Sequence, residues 1–198
     1  MTTRYSLLVV FLSIILYACQ SQRTCSLTIP YQPQTKSNYC VPACASMVLE
    51  YYGDHYSQDT VKALAKSKSD FTGTYYADLV QGLKSIGYRW EIKTFSLDHL
   101  GFEQGLNAIR VALQQHRPVL ISTSSPPIGH TKIVCGYNDR LQMVELVDPL
   151  WPPPGEGSMS YRQLEDIWHD DFQHTCRSIL VTAPRSDDHS VSRSNGAE

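Results

Sequence analysis

The stretch "QTKSNYCVPACASMVLEYYG", residues 34–53, decides the fold and raises the question of what its first cysteine, Cys40, does. Apolar residues after it recur at the spacing of one face of an α-helix, starting at Cys44. Pro42 suits the opening turn of a helix, and Gly53 suits its end. The stretch therefore predicts a helix with one buried face that begins beside Cys40.

A cysteine in this position is a candidate nucleophile. At the N-terminus of a helix, unpaired backbone N–H groups and the positive end of the helix dipole both stabilise thiolate over thiol. A nearby imidazolium is usually also needed to lower the pKa of a thiol far below its ordinary value. We therefore expect a histidine close to Cys40.

Among the seven histidines of the chain, His130 is the best placed. It lies in "GHTKIVCGY", residues 129–137, at the start of a predicted strand, where a side chain can overhang the edge of a cleft. We interpret the other six as surface residues, since they lie in polar surroundings or near helix ends. They are His55, His99, His116, His169, His174 and His189.

Asp148 is the candidate partner of this histidine. It ends the predicted strand in "VELVDP", residues 144–149, which follows the His130 strand after the short turn "NDR". A short hairpin brings the start of one arm close to the end of the other, so the carboxylate can hold the imidazole in one tautomer and stabilise its protonated form. Taken alone, an Asp before Pro is also typical of a turn.

Gln34 is a candidate donor to an oxyanion. Five residues separate it from Cys40, and its amide, together with the Cys40 backbone N–H, can stabilise the negative oxygen that forms when a thiolate attacks a carbonyl. Gln32 lies close enough to be an alternative.

The remaining pattern predicts an α+β fold with two lobes and a cleft between them. Helical patterns and one alternating strand, "YRWEIKTF", come first, and four β-branched runs predicted to form an antiparallel sheet follow from Pro118. The runs are "PVLIST", "HTKIVCGY", "LQMVELV" and "RSILVTA". A short helix capped by Ser160 precedes the last run. The loop "DPLWPPPGEG" either borders the cleft or packs Trp151 against the sheet.

The N-terminus predicts export and a lipid anchor. Arg4 precedes an apolar stretch, residues 6–18, that is too short to span a bilayer and is typical of a signal peptide. The stretch ends in "LYAC", which resembles the bacterial lipobox, so we expect cleavage before Cys19 and its lipidation; an ordinary cleaved signal or a short uncleaved anchor is the alternative. We therefore expect the protein in the bacterial cell envelope, facing the periplasm or the exterior, and on the outer membrane in a Gram-negative cell.

The predicted domain organisation has four parts. They are a signal peptide (1–18), a linker (19–30), one folded domain (31–183) and a disordered tail (184–198).

Charge and cysteine content exclude several classes of protein. A formal net charge of −2, without a basic patch, argues against a nucleic-acid partner.

The cysteines other than Cys19 and Cys40 fall into two kinds. Cys25 and Cys176 flank the folded domain and could form a disulfide, whereas Cys44 and Cys135 are interpreted as small buried residues. A metal site made of Cys40, Cys44 and His130 lacks a fourth ligand. We therefore expect no metal and no cofactor.

Taken together, "QTKSNYCVPACASMVLEYYG", "GHTKIVCGYND" and "VELVDP" resemble the papain-like cysteine peptidases, especially the bacteriocin-processing, double-glycine peptidase-like branch. The resemblance covers about residues 31–183. It implies that Cys40 is the nucleophile, His130 the general base and acid, Asp148 the orienting group and Gln34 the oxyanion donor, acting on peptide or isopeptide bonds of a peptide or protein. Val41 departs from the pattern, since these families usually have Gly or Trp there.

Two other functions remain open from the sequence. One is acyl transfer to an amine or thiol, as in transglutaminase-like enzymes. The other is a lipid-anchored binding module that uses the same scaffold without turnover.

Overall fold

The computed structural model describes residues 24–66, 73–124, 129–169 and 176–186. The predicted signal peptide, Cys19 and nearly all of the predicted tail lie outside the described residues. Lipidation of Cys19 therefore stays a prediction.

Five helices and seven strands are found in the described residues. The helices are α1 (Cys40–Tyr51), α2 (Gln58–Leu64), α3 (Tyr76–Lys84), α4 (His99–Gln114) and α5 (Tyr161–Ile167). The strands are β1 (Thr24–Ser26), β2 (Glu91–Phe95), β3 (Val119–Thr123), β4 (His130–Asn138), β5 (Met143–Val147), β6 (Glu156–Ser160) and β7 (Arg177–Val181). Ser160 caps α5 as predicted, through a capping box with Gln163. The α+β prediction is confirmed.

The strands form one antiparallel sheet in the order β2, β7, β3, β4, β5, β6. The four predicted strands after Pro118 are β3, β4, β5 and β7, and they pair as expected. The predicted strand "YRWEIKTF" contains β2, which joins the sheet through β7.

Part of the predicted linker over residues 19–30 belongs to the sheet. Thr24–Ser26 form β1, which pairs with residues 136–138 at the end of β4. β3 pairs only with residues 130–134 of that strand, so the far end of β4 is left for another partner. Because buried backbone groups need hydrogen bonds, the N-terminal segment completes the edge that β3 does not reach.

Helix α1 is buried all round, whereas the sequence predicts only one buried face. Every residue from Val41 to Leu49 is buried. The helix contacts α2 on one side and β4 on another. Ser46 is the one polar side chain between Val41 and Leu49, and a helix that is apolar on all faces belongs inside a core.

The possible disulfide between Cys25 and Cys176, which the sequence left open, is not formed in the structure, where both are free thiols. Cys25 lies in β1, where its Sγ donates to the carbonyl of Leu113 at 3.4 Å. Cys176 lies before β7, on another part of the sheet. The prediction that Cys44 and Cys135 are buried is confirmed. None of the helices in the described ranges has the length and apolar character needed to cross a bilayer.

Candidate active site

The structure brings Cys40, His130 and Asp148 together. Cys40 is the first residue of α1, His130 is the first residue of β4, and Asp148 directly follows β5. His130 Nε2 lies 2.7 Å from Asp148 Oδ1. The imidazole also forms a hydrogen-bonding pair with the Cys40 thiol. Because Asp148 occupies Nε2, Nδ1 is the ring nitrogen that faces the sulfur.

The register of the β4–β5 hairpin determines which side chains meet. Gly136 lies opposite Glu145 and Val134 lies opposite Leu146, so Cys135 is an extra residue that forms a bulge. Ile133 lies opposite Val147, which places the next pair outward, Lys132 and Asp148, across from each other. His130 is two residues from Lys132 and shares its side of the strand. The bulge therefore sets Asp148 beside both side chains.

The pKa values of the sulfur and the ring move in opposite directions. Burial alone would raise the pKa of Cys40, but the hydrogen bond and charge of His130, with the backbone N–H groups of Thr131 and Val41, hold it below its ordinary value. Burial alone would lower the pKa of His130, but Asp148 and Cys40 raise it. These shifts favour a thiolate–imidazolium pair.

Asp148 is held as a carboxylate despite its burial. Its side chain is 2% exposed, and burial alone would raise its pKa. Hydrogen bonds from His130, from Lys132 and from the backbone N–H of Leu150 at 2.8 Å outweigh that effect and lower its pKa to about 2. The carboxylate thus stays charged at neutral pH and stabilises the protonated ring.

Comparison of the sequence with models of known protein families agrees with this site geometry. The model of the Peptidase_C39 like family matches residues 26–174. The chain belongs to this family. It is a cysteine peptidase with a papain-like fold.

Solved structures show the same fold as this C39-like peptidase. The peptidase domain of Streptococcus ComA, a bifunctional ABC transporter involved in quorum sensing, is 20% identical with a TM-score of 0.56, over 79% of this chain and 98% of that one. A putative C39-like peptidase from Bacillus anthracis is 16% identical with a TM-score of 0.55, over 82% and 98%. A double-glycine motif protease from an AMS/PCAT transporter, in complex with the leader peptide, is 14% identical with a TM-score of 0.54, over 80% and 94%. No curated protein matches significantly.

Neither candidate oxyanion donor of the C39-like peptidase, Gln34 or Gln32, has its side-chain amide free. Gln34 donates its side-chain amide to the carbonyls of Lys36 at 3.0 Å and Ser37 at 3.2 Å. Gln32 donates to Glu50 at 2.6 Å, near the opposite end of α1 from Cys40. The Cys40 backbone N–H lies in the first turn of α1, where helix geometry supplies no acceptor. Gln34 itself is engaged within its loop.

Cys44 supports the site as a neutral thiol. It donates to the carbonyl of Thr131 at 3.4 Å, and burial raises its pKa well above the ordinary value. Thr131 also directs its backbone N–H at the Cys40 sulfur. Within residues 24–66, 73–124, 129–169 and 176–186, no group of three His, Cys, Asp or Glu side chains is arranged to hold a metal ion.

The proline-rich loop after Asp148 packs Trp151 against the sheet, which is one of its two predicted roles. A Cβ added to Gly157 of β6 would come within 2.4 Å of the Trp151 ring. Lys132 Nζ lies 5.0 Å from the centroid of that ring. Trp151 thus covers the Lys132–Asp148 pair. Lys132 is the site residue that the sequence prediction misses.

A cavity of about 260 Å³ lies next to the chain neighbours of Cys40 and His130. It is bordered by the residues that follow each of them, Val41 and Thr131. Most of its remaining wall is apolar or aromatic and includes Tyr75, Tyr76, Ile92 and Cys176.

Proposed function

We propose that the protein hydrolyses peptide or isopeptide bonds with Cys40 as nucleophile, His130 as general base and acid, and Asp148 as orienting group. The observation that carries the proposal is the chain of contacts from Cys40 through His130 to Asp148, with 2.7 Å between Nε2 and Oδ1. Reciprocal pKa shifts of the thiol and the imidazole support it.

The proposed reaction has two steps. The Cys40 thiolate forms a bond to the carbonyl carbon, the carbon–nitrogen bond breaks, and the His130 imidazolium gives its Nδ1 proton to the departing amine. Neutral His130 then takes a proton from water, whose oxygen attacks the thioester and releases the acid and the thiolate. Asp148 stabilises the imidazolium without itself becoming protonated.

The oxyanion of each step needs donors. The Cys40 backbone N–H supplies one by its position at the start of α1. The role of Gln34 as the second donor stays a prediction, and it requires one amide N–H to leave the carbonyl of Lys36 or Ser37. The Gln34 Oε1 atom is buried with no hydrogen-bond partner among the described residues, so its present amide orientation is not fully satisfied.

We propose that substrates carry an apolar side chain next to the bond that is cleaved. The cavity next to the chain neighbours of Cys40 and His130 is large enough for such a side chain, and glycine would leave it empty. The Thr74 hydroxyl is buried in its wall with no hydrogen-bond partner among the described residues, so a polar substrate atom there would be stabilised. This specificity differs from that of a double-glycine motif protease.

Filling the cavity should weaken this preference. In Ile92→Trp, we expect kcat/KM for peptides with Leu beside the cleaved bond to fall about 10- to 100-fold relative to peptides with Gly there, since lost apolar contacts of this size cost roughly 1–3 kcal/mol. A peptide library with quenched fluorophores measures the ratio. Val111→Trp is the matched control, because Val111 is similarly exposed, at 44% against 38%, but lies on α4. Equal ratios in the two variants would contradict the proposed subsite.

The rate of Cys40 alkylation as a function of pH tests the proposed function itself. The wild type should react with iodoacetamide well below pH 7, because imidazolium stabilises the thiolate. In His130→Ala the reaction should require a pH near the ordinary thiol pKa of about 8.5, so the rate at pH 6 should fall about 10- to 100-fold. His116→Ala, an exposed histidine, serves as control.

An unchanged profile in His130→Ala would favour the binding-module alternative. If the thiolate forms as expected, adding a primary amine during turnover separates hydrolysis from acyl transfer. Accumulation of the amide product in place of the acid would indicate a transferase.

A further inference from the structure

Lys132 forms a buried ion pair with the outer oxygen of the Asp148 carboxylate. Its Nζ contacts Asp148 Oδ2, while Oδ1 faces His130. The two paired side chains are only 12% and 2% exposed. Trp151 covers the ammonium group with its ring at 5.0 Å. A charge this far from water is costly unless it is paired, so the contact fixes both partners.

Each Asp148 oxygen therefore has its own set of donors. Oδ1 accepts from His130 and from the Leu150 backbone N–H, and Oδ2 accepts from Lys132. Rotation of the carboxylate out of its present plane would weaken all three contacts. The plane of the carboxylate is thereby locked with Oδ1 toward the imidazole.

We propose that Lys132 is a positioning residue of the peptidase site, which holds the Asp148 carboxylate toward His130 and limits how strongly that carboxylate stabilises protonated His130. The inference rests on the proposed function, in which His130 carries a proton to the leaving amine.

The second part of this role follows from charge. If the carboxylate interacted with His130 alone, its full negative charge would stabilise the imidazolium. The pKa of His130 would then be higher, and the imidazolium would be a weaker acid. Lys132 sits across Asp148 from the ring and opposes the imidazolium charge. General acids work best when their pKa lies near the working pH. With its pKa kept lower by Lys132, His130 protonates a leaving amine more readily.

The charged groups at the site balance when the pair is formed. Cys40 on α1 and Asp148 after β5 contribute two negative charges, and His130 and Lys132 on β4 contribute two positive charges. Among the described residues, the other titratable groups that interact with them are Cys44 on α1 and Tyr31 in the N-terminal segment. Burial raises the pKa of both, so both are neutral at pH 7. Removal of Lys132 therefore leaves a net negative site.

The test is the titration of the His130 imidazole, followed by NMR of histidine-labelled protein. Cys40→Ala serves as background, because it removes the coupled thiol and leaves the ring with Asp148 and Lys132. Adding Lys132→Met should move the His130 midpoint upward by about one pH unit, the effect of losing one nearby positive charge. Lys132→Arg keeps the charge and should restore the midpoint. In the Cys40 enzyme, Lys132→Met should lower kcat about 10- to 100-fold.

A His130 midpoint that stays in place in Lys132→Met would overturn the inference, even if kcat falls. A midpoint that moves down would overturn the charge-limiting role and show that Lys132 only holds Asp148 toward the ring, since loss of the Asp148 contact lowers the pKa of His130. Lys132→Gln supplies a second neutral variant if circular dichroism shows that Lys132→Met does not fold. The alkylation profiles of wild type and His130→Ala decide the proposed function separately, because they do not depend on Lys132.

Discussion

Replacing Cys40 with alanine is expected to abolish peptide hydrolysis, with kcat falling about 10⁴-fold or more, because no other group at the site can form the acyl intermediate. Hydrolysis of a fluorogenic peptide that the wild type cleaves measures the loss. The fold should survive, since Cys40 is only partly buried at the start of α1 and the helix is held by the residues that follow it.

Cys44→Ala is the matched control for this substitution. It makes the same chemical change one turn further along the helix, where the thiol only donates to the Thr131 carbonyl. We expect its activity to stay within about tenfold of the wild type, with a loss of stability of roughly 1 kcal/mol from the small cavity left behind. If Cys44→Ala were the inactive variant and Cys40→Ala the active one, the assignment of the nucleophile would be wrong.

Asp148→Asn is expected to lower kcat about 10³- to 10⁴-fold while leaving the fold intact. Lys132 donates at the Oδ2 position and the Leu150 N–H at the Oδ1 position, and the charged donor, which forms the stronger hydrogen bond, would draw the amide oxygen to the Oδ2 position. The amide nitrogen would then donate to His130 Nε2 and place the ring proton on Nδ1. That tautomer cannot accept the proton of the Cys40 thiol.

The pH dependence should change together with the rate. Asp148 raises the pKa of His130, so its loss lowers the fraction of imidazolium and with it the thiolate content below pH 7. Alkylation of Cys40 at pH 6 in wild type and Asp148→Asn measures this. Asp139→Asn, on the tip of the same hairpin, is the control and should change neither the rate nor the profile by more than about twofold.

The residues that the sequence predicted best are those fixed by local rules. A cysteine at a helix start, a histidine at a strand start and an aspartate at the end of the neighbouring arm follow from helix periodicity and hairpin geometry. Cys40, His130 and Asp148 do lie together, and the helix order and the four strands after Pro118 agree with the structure.

The features that sequence reasoning missed depend on tertiary register. Lys132 meets Asp148 only because the bulge at Cys135 shifts the pairing by one residue, and nothing in the local pattern announces that shift. The pairing of Cys25 with Cys176 stayed open for a similar reason, since a disulfide requires two Cα atoms within about 7 Å and sequence gives no such distance. β1 forms because β3 is shorter than β4, which is a property of the assembled sheet.

The burial of α1 on every side has a consequence for how the activity can be controlled. Because Cys40 lies on a helix that is buried in the core, α1 cannot move relative to the sheet without unfolding the domain. Regulation by a movement of α1 within the folded domain is therefore excluded, and thermal unfolding of the core should abolish activity at the same temperature.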